Sequence, residues 1–224
     1  MPGWSIMTVS KGQPMEKHVT ASTTDTKQQL ISVAERLFAE RGFAGTTVRN
    51  VVSEAGANLG AVHYHFGSKE ELFRAVVAQF AHPIVEQELA LLKQLQTEHD
   101  LPSVEAILAA VLKPCLENLV QDRDSWRIRA QFMGRCRTEP EPLQSIAANE
   151  FAAATEAFLD VLQRALPDQS RAQLYWKFDL VITVLIRVQA EAGQPHALLK
   201  INNPKDIQDT TQLLVRFLSA GMRA

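Results

Sequence analysis

Between residues 25 and 80, apolar positions recur with helical spacing in short runs separated by glycines. Leu30, Ala34, Leu37 and Phe38 share one face at 3.6 periodicity, and Gly42 supplies the left-handed residue that commonly ends a helix. A second, short helix is expected from Thr46 or Thr47, whose hydroxyl can cap it, through Val48, Val51 and Val52 to Gly56. A third opens near Leu59 and closes at Gly67, so two short helices are joined by a tight turn containing glycine. Ser68-Lys69-Glu70-Glu71 then sets a capping serine three residues before a glutamate, which predicts a fourth helix from Lys69 toward Glu98. Pro83 within it removes one hydrogen bond and predicts a kink or break near His82.

Beyond residue 70 no alternation of apolar and polar residues is long enough for a sheet, and the fold class expected is all-α with about nine helices. Leu101-Pro102-Ser103 opens a fifth helix with Ile107, Leu108, Val111 and Leu112 on its buried face, interrupted at Pro114. The sixth covers roughly 125 to 137, and Thr138-Glu139-Pro140-Glu141-Pro142 connects it to a long seventh that carries Phe151, Phe158, Leu162 and Ala165 and ends before Pro167. The eighth starts at Ser170 and has almost no polar face. The ninth begins at Asn203-Pro204-Lys205-Asp206, a cap followed by proline at the first helical position.

Composition narrows the class. A chain of 224 residues with 46% hydrophobic content can bury a sizeable core. No uncharged apolar run reaches the ~18 residues of a membrane span, and residues 1 to 24 lack the apolar stretch of a secretory signal. They read as a disordered tail in which Met7 and Met15 are alternative starts. Cys115 and Cys136 fit reduced structural thiols, and a cytoplasmic location is expected. Neither the cysteines nor the six histidines converge on a nucleophile, a base or a metal cluster, so no enzyme and no cofactor are expected. His63 and His65 stand two apart on a helix, with imidazoles about 200° apart, which excludes a shared metal. The net charge of −2 excludes nucleic-acid binding by bulk positive charge and leaves it to local cations and helix ends.

The combined pattern of Ala34, Phe38, Gly42, Phe43, Thr46, Thr47, Val48, Ala55, Gly56, Tyr64, His65, Phe66, Lys69 and Leu72 resembles the DNA-binding domain of the TetR family of transcriptional regulators. The resemblance covers about a quarter of the chain. Asn50 stands where many members carry an acid, and Asn58 where serine or threonine often caps the recognition helix. It implies a helix-turn-helix domain over residues 25 to 70 and a helical ligand-binding and dimerisation domain over 71 to 224.

Candidate DNA-binding residues are Thr46, Thr47, Arg49, Asn58, Gly60, Ala61, His63, Tyr64, His65 and Lys69. Asn58, Gly60, Ala61 and His63 are the ones placed to reach base edges. Lys69, with the free N–H groups opening its helix, suits a phosphate oxygen. In the eighth and ninth helices, Leu174, Phe178, Val181, Leu185, Leu213, Leu214 and Phe217 are the candidate interface of a homodimer that would set two reading heads about 34–36 Å apart on an inverted-repeat operator. The family resemblance implies an inducer cavity among the body helices. Asp179, Thr183 and Arg187, like Arg127, Gln131 and Arg135, repeat every four residues, and such stripes either face solvent or pair across the dimer, or anchor a ligand; on the second reading Arg127, Gln131, Phe158, Thr183 and Arg187 are the candidate ligand contacts. Val62 to Lys69, Leu174-Tyr175-Trp176-Lys177-Phe178 and the last eight residues also resemble the PsrA-like branch, which implies a long-chain fatty acid or acyl-CoA as effector. The reading that follows is a repressor released by an apolar ligand. The alternative is a DNA-binding regulator whose helical body is a protein-interaction module without a small ligand.

Overall fold

The computed structural model describes residues 23–192, 194–197, 199, 200 and 203–224. Among the described residues every regular element is helical: α1 (Thr23–Gly45), α2 (Val48–Glu54), α3 (Leu59–His65), α4 (Lys69–Glu98), α5 (Val104–Gln121), α6 (Arg123–Cys136), α7 (Leu143–Glu150), α8 (Ala152–Ala165), α9 (Arg171–Glu191) and α10 (Pro204–Arg223). Ten helices replace the expected nine. Of the tail expected over 1 to 24, residues 1–22 lie outside the described residues, whereas Thr23 and Thr24 already belong to α1.

Local chemistry accounts for most boundaries. α1 bends at Gly42, where φ is 72°, a value that L side chains rarely adopt, and where a Cβ would come 3.1 Å from Glu139 Oε1. Thr47 caps α2 by accepting from Asn50 N at 3.1 Å, and Asn50 Oδ1 accepts in return from Thr47 N at 3.1 Å. This is a reciprocal capping box in which asparagine takes the usual acid's part. Ser68 caps α4 through Glu71 N at 3.1 Å, but the Glu71 carboxylate turns to Arg74, 3.4 Å away. Asn58, Ser103, Ser170 and Asn203 cap α3, α5, α9 and α10 in the same manner.

Three expectations are corrected. Pro83 does not break α4 and Pro114 does not interrupt α5. A proline inside a helix costs ~3 kcal/mol, but α4 and α5 each carry a buried apolar face on both sides of the proline, and burying several large side chains at about 1.5–3 kcal/mol apiece outweighs that cost. The long seventh helix divides at Phe151, whose N–H reaches back to Ala148 O at 3.1 Å while its own carbonyl accepts from Thr155 N at 3.0 Å, giving α7 and α8.

Two apolar cores result. One gathers α1, α2, α3 and the first half of α4 around Leu37, Phe38, Val51, Val62, Leu72 and Phe73, and it takes in Phe132 and Cys136 from α6 and Ile146 from α7. The other fills the body between α5, α8, α9 and α10 with Leu108, Leu112, Phe158, Leu162, Phe178 and Leu214. Phe132 joins the first core edge-on to Phe73 (5.3 Å) and stacked on Phe38 (6.2 Å), so the three rings hold α1, α4 and α6 together. At the far end Arg223 of α10 donates to both oxygens of Glu105 on α5, each at 2.6 Å. Phe132→Ala should therefore lower unfolding stability by about 3–5 kcal/mol and loosen the head from the body; denaturant unfolding with hydrogen exchange over α1 checks both effects.

Candidate functional site

Helix α3 is held to the head by Val62, which is 1% exposed, and the residues around it turn outward. Tyr64 is 79% exposed, and Thr47, Arg49, Asn58, Gly60 and His63 are also at the surface. Ala61 and His65 are half-buried, the latter edge-on to Tyr64 at 5.0 Å. The turn into α3 uses Gly56 at φ 59°, and the exit uses Gly67 at φ 79°. Gly60 has a local reason to be small, since a Cβ there would come 3.1 Å from the Asn58 Oδ1 that caps the helix.

Two candidates sit differently from expectation. Thr46 is 0% exposed, with its hydroxyl 3.1 Å from Leu37 O and 2.9 Å from Gly42 O, so it closes the α1–α2 corner and offers nothing to a ligand. Lys69 folds back, donating to Phe43 O at 2.6 Å with its ammonium 3.9 Å over the Phe43 ring. Burial pulls its pKa below the ordinary lysine value. Leu59, 44% exposed at the start of α3, is an apolar surface residue that the sequence reading treated only as a helix boundary.

The body contains a cavity of about 600 Å³, partly open to solvent and lined by residues of α4 to α9. Phe158 lines it as expected, along with Trp126, Phe178, Ile182 and Leu185. The other candidate contacts do not. Arg187 has 73% of its side chain exposed and pairs with Glu191, Thr183 and Gln131 are exposed, and Arg127 is not among the lining residues. The physical reason is helix geometry: a step of four residues advances 400°, so a stripe read every four residues drifts about 40° per step. Asp179 lines the cavity, but the stripe has left it by Arg187. On α6 the cavity face is instead Trp126, Arg129, Ala130, Met133 and Arg137.

Both cavity arginines are already engaged. Arg129 Nε donates to Glu35 Oε1 at 3.1 Å, across to α1, and Arg137 Nη2 donates to Asp179 Oδ2 at 2.5 Å. Glu88 of α4 also lines the cavity, 7% exposed, and burial pushes its carboxyl up to about 8. It lies in the run Val77, Phe80, Ile84, Glu88, Leu92, where helical spacing calls for an apolar residue. That interruption was the signal available in the sequence.

The opposite face of α6 grips the head. Arg135 Nε donates to Ala39 O at 2.5 Å and its Nη2 to Glu40 O at 2.8 Å, while the N–H of Phe43 donates to Glu139 Oε1 at 2.9 Å. Reading head and cavity thus share one helix.

Comparison with known proteins fits this arrangement. Residues 30–76 match the family model "Bacterial regulatory proteins, tetR family", and residues 109–221 match "Tetracyclin repressor-like, C-terminal domain". The chain belongs to the TetR family. It is 30% identical over 118 residues to the HTH-type transcriptional repressor AcnR of Corynebacterium glutamicum, covering 52% of this chain and 54% of that protein. To the HTH-type transcriptional regulator SrpR of Pseudomonas putida it is 33% identical over 98 residues, 44% of this chain and 43% of that one. The chain spans about half the length of the curated relatives it matches. Among solved structures, the fatty acid degradation regulator FadR of Bacillus halodurans aligns over 87% of this chain and 98% of its own at TM-score 0.63 and 14% identity. The FadR of Bacillus subtilis in complex with stearoyl-CoA aligns over 87% and 98% at TM-score 0.61 and 13% identity. These similarities show the fold. TetR-family proteins are regulators rather than enzymes, and no helix among the described residues is long and apolar enough to cross a membrane.

In this TetR-family body α9 and α10 present an apolar outer face different from the one expected. Leu174, Phe178, Val181, Leu185 and Leu214 are each 5% exposed or less and fill their own subunit's core. Leu213 and Phe217 are exposed, the latter at 70%, and Trp176 (62%) and Leu180 join them. A long helix with apolar residues on every side left the inner and outer faces indistinguishable by periodicity.

The Glu88 carboxyl makes stability pH-dependent. Between the ordinary glutamate value of 4.5 and about 8 the unfolded chain has released its proton while the folded chain keeps it. Stability is therefore fully present below the lower value, falls as pH rises through the window and levels off above the upper one. Glu88→Gln should raise the melting midpoint at pH 8 by roughly 4–8 °C, on the order of 2 kcal/mol, and hardly change it at pH 4.5. Thermal melts at the two pH values test this, and equal gains at both would show that the carboxyl is not held protonated.

Proposed function

We propose that this TetR-family protein is a ligand-responsive transcriptional repressor that binds an inverted-repeat operator as a homodimer and is released when a small, largely apolar effector fills the body cavity. One observation carries the reading: α6 lines the cavity with Trp126, Arg129 and Met133 and holds the head with Phe132 and Arg135. A ligand that displaces α6 acts on the position of α1, and with it on α2 and α3. It does so only to the extent that it binds the DNA-incompetent arrangement better. On this reading Arg49 and Thr47 contact phosphate, while Asn58, Leu59, His63 and Tyr64 reach base edges and thymine methyls; their exposure supports these roles. Gly60 and Ala61 allow close approach, and His65 supports the Tyr64 ring. Lys69 donates to the Phe43 carbonyl and so fixes the loop before α2. The homodimer interface is the outer face of α9 and α10, with Trp176, Leu180, Leu213 and Phe217 covered by a second copy.

A long-chain fatty acid or acyl-CoA as effector is supported by the apolar, aromatic walls of the cavity and by the fold likeness to FadR of Bacillus subtilis, solved with stearoyl-CoA. The pairing of both cavity arginines with carboxylates weighs against an anionic head group inside the cavity.

DNA binding is tested on duplexes that the protein itself selects from a random pool. Tyr64→Ala should weaken binding to the selected duplex about tenfold or more by fluorescence anisotropy, a loss of ~1–3 kcal/mol, without lowering the melting temperature. Unchanged affinity would remove α3 from the reading face. Phe217→Asp should turn a dimer into a monomer in sedimentation and lower operator affinity with it. A dimer that persists places the interface elsewhere.

A further inference from the structure

The cavity's charges do not balance. Arg129 is matched by Glu35 and Arg137 by Asp179. Glu156 is matched by Arg171, and Glu141 accepts from Ser145 Oγ at 2.6 Å. Glu88 is the exception: among the described residues no hydrogen bond or ion pair reaches its carboxyl, and burial raises its pKa. A carboxyl that is 7% exposed and without such a partner is a costly residue to retain in an apolar stripe, where leucine would pack at no electrostatic penalty. Gln189, also in the lining, directs its amide to Cys115 O at 3.1 Å rather than to Glu88. The walls include Trp126 and the stacked pair Phe158 and Phe178, with ring centroids 5.8 Å apart. Aromatic faces attract a cation through their quadrupole, and the attraction grows when water is excluded.

We propose that the cavity takes an organic cation, an apolar body bearing an ammonium or amidinium group, and that Glu88 is the residue that pairs with it while the aromatic walls of α6, α8 and α9 cover its apolar part. The proposal rests on the reading of this cavity as the effector site and changes the class of effector from anionic to cationic. Binding of the cation favours the ionised form of Glu88, which burial otherwise disfavours. An alkyl carboxylate could not pair with ionised Glu88, and both cavity arginines are already paired with carboxylates.

A matched series separates the possibilities: decyltrimethylammonium, 1-decanol and decanoate share a ten-carbon chain and differ in charge. Calorimetric titration of the full-length protein at pH 8.5, above the raised value of Glu88, should give the cation an affinity at least about tenfold above the alcohol, with decanoate weaker than both. In Glu88→Gln the cation should lose that advantage, while decanol affinity stays within about twofold. Decanoate binding as tightly as the cation, or a preference for the cation that survives in Glu88→Gln, would overturn the proposal and leave the cavity as an effector site. No binding by any of the three would overturn both.

Discussion

Helix α6 cannot shift without disturbing two sites at once. Its residues Trp126, Arg129, Ala130 and Met133 form one wall of the cavity, and the residues between them, Phe132 and Arg135, are buried against or bonded to α1. The two sets interleave along a single rod, and an α-helix bonded along its length moves as a unit. The interior on either side is close-packed, so a displacement at the cavity wall has no slack in which to vanish. The head depends on this helix for its own stability as well, because the ring of Phe132 completes the cluster of Phe38 and Phe73. The proposed signal and the stability of the head therefore use the same contact.

Much of the fold was legible because the chain punctuates its helices with short-range chemistry. Thr47, Asn58, Ser68, Ser170 and Asn203 cap the helices where the sequence placed them, Gly42 takes the positive φ expected of it, and Gly56 and Gly67, expected only as helix ends, take positive φ as well. What failed depended on neighbours distant in sequence. Pro83 and Pro114 stay inside helices because tertiary burial outweighs the lost bond. Phe151 breaks a helix without a proline or glycine to announce it. Of the residues expected on the reading face, Thr46 alone is fully buried, since a threonine hydroxyl that caps and one that closes a buried corner look alike in sequence. The cavity was missed in its chemistry: Phe158 alone of the expected contacts lies on it. Arg127 and Arg187 were chosen for their charge on a stripe, whereas the charge that faces the cavity is the isolated Glu88 within an apolar run.

The outer surface of α9 and α10 makes a related point about burial. Trp176 and Phe217 lie exposed beside a core that has already consumed Leu174, Phe178 and Leu214. The same two helices therefore carry one apolar face inward and another outward, and a fold that needed only its own core would have made the second polar. Polar contacts add to the packing of this pair: Lys177 donates to Gln169 Oε1 at 2.7 Å and to Met222 O at 3.2 Å, which ties the last turn of α10 to the first turns of α9.

The grip of α6 on the head addresses main chain more than side chain. Arg135 holds the carbonyls of Ala39 and Glu40, and Glu139 holds the amide of Phe43; among these polar contacts Arg129 alone depends on a particular partner residue, Glu35. A peptide carbonyl is present whatever amino acid occupies the position. On the proposed function, the residues of α2 and α3 assigned to DNA can thus be exchanged freely over evolutionary time without severing the link to the body, so that a lineage would acquire a new operator while keeping its sensor, and sensing and target choice would become separately heritable.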